Sequence, residues 1–119
     1  MTAALLPLSE VLTRLKVSRS TFDTWRVLGK SPECIKFANR RLYVSPAALT
    51  SWFGAPVTEP LLTLPEVLTM LDVARSTFDT WRSLDSAPSC FKLPNGQIRV
   101  RSADLAAWLN AHVEMREAA

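Results

Sequence analysis

The sequence predicts a mainly α fold with small β-hairpins, made twice in tandem, and three observations carry that expectation. Shifting the chain by 56 positions lays Leu5–Phe53 on Leu61–Leu109 without a gap, with roughly half of the aligned residues identical. The run from Arg19 to Arg26 recurs unchanged from Arg75 to Arg82. Within each copy the apolar spacing is helical twice, then alternates, then turns helical once more. A repeat without a gap means that a whole folded unit was duplicated.

Composition sets the outer limits. With 119 residues and 48% apolar content the chain reads as globular. The repeat divides it into a first unit at 1–53, a proline-flanked linker at 54–60, a second unit at 61–112 and a tail at 113–119. Units of about 50 residues bury only about 60% of their unfolded surface, so contact between them is expected. No apolar run approaches the roughly 18 residues that span a bilayer, and Met1–Pro7 lacks the charged start and apolar core of a signal peptide. A soluble, cytoplasmic protein follows as the expectation. Cys34 and Cys90 occupy one position of the repeat; equivalent single cysteines make neither a chelating set nor a disulfide framework, and both read as small buried hydrophobes.

The elements follow in order. In the second copy Thr63, with Glu66 three residues on and Pro65 between, forms a capping box that starts a helix. Leu64, Val67, Leu68 and Leu71 then give that helix a buried stripe, matched by Leu8, Val11, Leu12 and Leu15 in the first copy. Pro7 stands where the capping threonine would be, so the first helix start is less well specified. A turn at Lys16–Ser18 leads to a second helix from Arg19 to about Leu28, capped by Ser18, a role Ala74 cannot take. Phe22, Trp25 and Leu28 are read as its inner face. Alternation at 34–37 and 41–44 predicts a hairpin, with Asn95-Gly96 marking its turn in the second copy. A last helix opens at Ser45-Pro46, or at Ser102, and buries Leu49 with Trp52, or Leu105 with Trp108. The tryptophans therefore read as core, not as base-stacking platforms.

Helix, turn, helix, hairpin, helix is the order of a winged helix-turn-helix, in which the second helix faces a major groove and the hairpin reaches the flanking backbone. Arg19, Asp23 and Arg26 form one stripe on that helix, opposite Phe22 and Trp25, with Ser20 and Thr24 beside it. Arginine can pair with guanine in bidentate fashion, Ser and Thr can meet phosphate or base edges, and Asp23 can accept from cytosine or orient its arginines. A solvated, salt-bridged face is the alternative reading of that stripe alone. Lys36, Arg40 and Arg41 on the hairpin add cations where a phosphate backbone would be met, which favours DNA. The second copy keeps Arg75, Ser76, Asp79, Thr80 and Arg82 on its helix, with Arg99 and Arg101 nearby, but its hairpin tip, Pro94–Gln97, has neither tip arginine.

The net charge of +3 divides unevenly. Residues 1–57 carry eight basic against three acidic side chains, +5, and residues 58–119 carry six against eight, −2. An anionic partner is therefore expected on the first copy above all.

Leu-Thr-Leu-Pro-Glu-Val-Leu at 62–68, Val-Ala-Arg-Ser-Thr-Phe-Asp-Thr-Trp at 73–81 and Arg-Val-Arg-Ser-Ala-Asp-Leu-Ala-Ala-Trp-Leu at 99–109 resemble the small MerR-like winged helix-turn-helix of phage and plasmid excisionases and AlpA-type prophage regulators. The first copy matches through 8–12, 17–25 and 45–53. The resemblance implies double-stranded DNA as partner, read through the second helix and wing without catalysis, in a bacterial cell or phage-infected host. An excisionase that bends DNA is the leading expectation, with an integrase or self-association along DNA as further partners. The alternatives are a transcriptional regulator, or a DNA-binding first unit whose second unit serves protein–protein interaction. Two positions depart from the family pattern: the usual turn glycine is Lys16 and Asp72, and the outer-face aromatic or basic residue is Asp23 and Asp79.

Two further expectations complete the reading. The linker Gly54–Pro60 would extend about 20 Å and act as a short tether, so a head-to-tail duplication predicts direct-repeat half-sites about one DNA turn apart. Enzymatic activity, metal and cofactor are not expected. The chain has one histidine, His112, read as solvated, and shows no Gly-rich phosphate loop, metal-spaced cluster or nucleophile motif.

Overall fold

The computed structural model describes residues 4–113. Six helices and two three-stranded antiparallel sheets appear in one order made twice: β1 Leu6–Pro7, α1 Leu8–Leu15, α2 Arg19–Val27, β2 Ile35–Lys36, β3 Leu42–Val44 and α3 Pro46–Phe53, then β4 Leu62–Thr63, α4 Leu64–Leu71, α5 Arg75–Ser83, β5 Phe91–Lys92, β6 Ile98–Val100 and α6 Ser102–Ala111. No helix among the described residues is long and apolar enough to cross a membrane.

The helix starts follow their caps. Thr63 and Glu66 close the capping box, with Thr63 N donating to Glu66 Oε1 at 2.8 Å and Glu66 N to Thr63 Oγ1 at 3.3 Å. Pro7, by contrast, offers α1 no side-chain cap. Ser18 accepts from Thr21 N at 3.1 Å, whereas Ala74 leaves the same amide of α5 without a side-chain partner. Ala74→Ser is therefore expected to raise stability by about 1 kcal/mol, read as a shift in the urea midpoint at unchanged m-value. Ser45 caps α3 through Ala48 N, as expected, but α6 begins one residue earlier than the sequence suggested: Arg101 is its N-cap and Ser102 its first helical residue.

Both α1 and α4 end on a left-handed residue, Lys16 and Asp72, each at φ 57°. Glycine is the usual occupant of that conformation; here the following hydrogen bonds, Val17 N to Leu12 O and Val73 N to Leu68 O, hold a larger residue in it.

Each sheet contains a strand that the sequence did not announce. β1 pairs with β3 (Leu6 opposite Val44) and β4 with β6 (Leu62 opposite Val100), so the central strand of each sheet is the returning arm of the hairpin. Two-residue strands carry no periodicity of their own; the partner strand defines them.

Two apolar clusters form, and the repeat boundary does not separate them. Leu8, Val11, Leu15, Phe22, Trp25 and Leu49 make the first, but Val57, Leu61 and Leu93 belong to it as well. Leu64, Val67, Phe78, Ile98, Val100 and Leu105 make the second. The segment 54–60 is thus not a free tether. Val57 is buried and its carbonyl accepts from Arg14 Nη1 at 2.9 Å, while Leu61 N donates to Arg14 O at 2.8 Å. Leu28, read as an inner-face residue, is exposed, as is Leu84 in the second copy. α2 ends before it and the chain turns away, so Phe22 and Trp25 alone anchor that helix.

Cys34 and Cys90 are half-buried rather than fully buried, each thiol donating to a proline carbonyl (Pro32 O and Pro88 O). Burial raises both thiols above their ordinary value, against the opposing pull of Arg26 and Arg82. His112 is exposed at the end of α6, its Nδ1 2.8 Å from Trp108 O.

Candidate nucleic-acid interface

The outer face of α2 carries the expected stripe. Arg19 Nε donates to Asp23 Oδ1 at 3.1 Å, and Arg26 Nη1 lies 3.7 Å from the same oxygen. One carboxylate therefore holds two arginines in a row along the helix, all three side chains solvent-accessible. Such exposed pairs contribute little to stability. Their effect is to fix where the guanidinium groups point. Ser20 and Thr24 lie beside them, with Thr24 Oγ1 bonded back to Ser20 O.

The hairpin brings two more arginines to this face. Phe37 and Arg41 bracket a tight turn, closed by Arg40 N to Phe37 O at 2.8 Å and by Asn39 Oδ1 accepting from Arg41 N at 3.0 Å. Arg40 sits at φ 67°, in the left-handed region that costs most residues about 1–2 kcal/mol. The second hairpin closes in the same way, by Gly96 N to Leu93 O and Gln97 N to Asn95 Oδ1, and places Gly96 at φ 86° in that position. An arginine thus occupies a site that glycine fits better. Arg19, Arg40 and Arg41 line one open cleft of about 290 Å³, with Pro7, Ser9 and Tyr43 as its remaining polar and ring edges. Lys36 is exposed on β2, outside that cleft.

The second copy keeps the helix and loses the hairpin. Arg75 Nε donates to Asp79 Oδ1 at 3.2 Å, Thr80 Oγ1 bonds Ser76 O, and Arg82 is exposed. Its hairpin, however, packs on the first repeat. Phe91 stacks on Phe53 with ring centroids 4.4 Å apart, and Leu93 is buried in the first core.

Two arginines expected at a DNA surface are engaged within the protein. Arg99 is only 3% exposed. Its Nε donates to Leu15 O and its Nη2 to Lys16 O, both at 2.9 Å, so the guanidinium caps the carbonyl end of α1 from across the repeat boundary. Burial pulls its pKa below the ordinary arginine value, and the Glu66 charge pushes the other way. Arg101 forms a bidentate pair with Asp104 at 2.8 and 2.9 Å, and its Nη1 donates to Pro56 O. Asp104 raises its pKa. Strand alternation places Arg99 on the face of β6 opposite Ile98 and Val100. For an isolated unit that face would be solvent; here the first repeat covers it.

A third contact joins the repeats. Lys16 Nζ lies 2.7 Å from Glu66 Oε1, and this bond, together with the amide of Thr63, holds the Glu66 carboxyl at about 2 against an ordinary 4.5. A depressed carboxyl stabilises the fold above its unfolded value, and that contribution is lost as pH falls through the folded one. Glu66→Gln is therefore expected to narrow the stability difference from the parent chain between about pH 4.5 and about pH 2, and to leave none below it. Urea midpoints across that range measure it. The difference stays small because the pair is partly exposed and screened by solvent.

No protein-family model, curated protein or solved structure matches the chain.

Proposed function

We propose that the chain is a sequence-reading, double-stranded DNA-binding protein built as two tandem winged helix-turn-helix units, acting as an excisionase of phage or mobile-element type. One observation carries the DNA reading: Arg19 of the second helix and Arg40 and Arg41 of the hairpin tip line a single open cleft. Such cations suit a phosphate group, and their sharing one cleft supports a reading in which α2 and the hairpin meet adjoining parts of one duplex. The strained backbone at Arg40 supports it, since strain of this kind persists where a side chain is needed in place.

On this reading α2 enters the major groove. Arg19 and Arg26, spaced by Asp23, face base edges, and Ser20 and Thr24 reach phosphate or base. The second unit contributes α5, with Arg75, Ser76, Asp79, Thr80 and Arg82, while its hairpin serves as a joint. That favours a principal reader and an auxiliary one, the second unit having a share in protein–protein contact. Selection of binding sites from random duplexes, followed by footprinting, tests the arrangement. Direct repeats with centres about one helical turn apart are expected; a single short site or an inverted repeat overturns the two-reader arrangement, and no sequence preference overturns specific recognition. A bend measured by permuted gel shift supports the excisionase role over that of a promoter regulator.

A further inference from the structure

The seam between the repeats joins two different faces. The second repeat presents Phe91, Leu93 and Arg99; the first receives them around Arg14, Leu15 and Phe53, with Val57 closing the edge. Each face has a counterpart 56 positions away that, among the described residues, takes no part in a seam. Ile35, Phe37 and Tyr43 correspond to the presenting face. Met70, Leu71, Leu109 and Val113 correspond to the receiving one.

These counterparts are where the apolar surface lies. Ile35 is 38% exposed, Phe37 45%, Met70 59%, Leu109 44% and Val113 61%. Among the described residues the other large exposed apolar side chains are Val27, Leu28 and Leu84, at the ends of α2 and α5. The repeat correspondence assigns these groups to two faces, and exposed apolar faces mark contact surfaces. Here the internal seam shows what complements each patch, namely the other one.

We infer that separate chains associate head to tail, the Ile35–Phe37–Tyr43 face of one chain seating on the Met70–Leu109–Val113 face of the next and repeating the internal seam. The two faces differ, so the contact is heterologous: each added chain brings one face of each kind, and repetition of the seam adds chains head to tail until the free faces meet in a ring.

Charge at the joint sets its strength. The counterpart of the Lys16–Glu66 pair is Asp72 opposite Glu10, two carboxylates, although Glu10 is already paired with Arg14 at 2.8 Å. Tyr43 stands where Arg99 caps two carbonyls, and it has no guanidinium to do so. The internal seam also has a covalent tether, which supplies an effective concentration of about millimolar. The joint between chains is accordingly weak.

Sedimentation of the full chain without DNA tests this, so that its outcome is independent of the DNA reading. The parent chain is expected to associate weakly and reversibly at high concentration. Asp72→Lys with Tyr43→Arg restores the seam's polar partners in trans and is expected to tighten association by about tenfold or more, with species growing past the dimer. Adding Phe37→Ser or, separately, Leu109→Ser to that double variant is expected to abolish it, circular dichroism confirming that each remains folded. A double variant that stays monomeric overturns the inference. So does association that survives either serine substitution.

Discussion

Arg99→Met is expected to lower the unfolding free energy by about 3 kcal/mol and to uncouple the two repeats. Methionine keeps much of the volume and removes every donor. Leu15 O and Lys16 O, at the carbonyl end of α1, then lose the partner that reaches them from β6. Each buried carbonyl left without a partner costs about 1–3 kcal/mol, and a cation at a helix C-terminus is lost as well. The desolvation of the buried guanidinium works in the opposite sense and keeps the total below the simple sum. Native-state hydrogen exchange separates the effects: the amides of α1 and β6 are expected to open together in the parent chain and with different free energies in the variant. A midpoint unchanged to within about 0.5 kcal/mol would mean that the apolar contacts of Phe53, Phe91 and Leu93 hold the seam unaided. Arg101→Met is expected to cost less, because its pairing with Asp104 lies within one helix turn and is partly exposed.

The role of Arg99 also marks the limit of what the sequence could say. Helix starts at Thr63, Ser18 and Ser45 were legible because each cap is a local event. The stripes containing Val11, Phe22 and Leu49 were legible because a repeating apolar spacing survives whatever it packs against. Alternation in β6 put Arg99 on the outer face, but alternation cannot say what covers that face. A trace of the answer was present in the comparison of copies: at hairpin positions Ile35, Phe37 and Tyr43 of the first copy the second has Phe91, Leu93 and Arg99, and the last of these puts a five-donor guanidinium where the first copy has a phenol. The hairpin tip that lacks the two arginines is the one that packs on its neighbour, Leu93 being buried in the first core. Of the candidate site, the stripe on α2 and the arginines at the hairpin tip were legible, but not that Arg19 alone of the stripe shares a cleft with Arg40 and Arg41, because that depends on tertiary packing.

Arg40→Gly separates the fold from the proposed function, because its two effects have opposite signs. Gly96 already holds the equivalent turn position at φ 86°, and glycine at Arg40 relieves the left-handed strain; the gain is up to about 1 kcal/mol after the larger backbone entropy of glycine in the unfolded chain is deducted. On the proposed DNA reading, removing the cation takes away one phosphate contact, so binding to every sequence is expected to weaken and the slope of log K against log salt to fall by about 0.9. Arg41→Ala is expected to give the same change of slope without the gain in stability. The triple change Arg19→Ala, Arg40→Gly, Arg41→Ala empties the cleft of charge and is expected to lose about two to three orders of magnitude in affinity at fixed salt. Titrations at several salt concentrations, paired with urea midpoints for each variant, measure both quantities. A triple variant that binds as the parent does, with the same slope, sinks the assignment of the cleft to phosphate. The matching change in the second copy, Arg75→Ala with Arg82→Ala, then decides between its two roles: a loss like that of Arg19→Ala with Arg26→Ala places α5 in a groove of its own. Unchanged affinity leaves the second repeat as the element that fixes and extends the first.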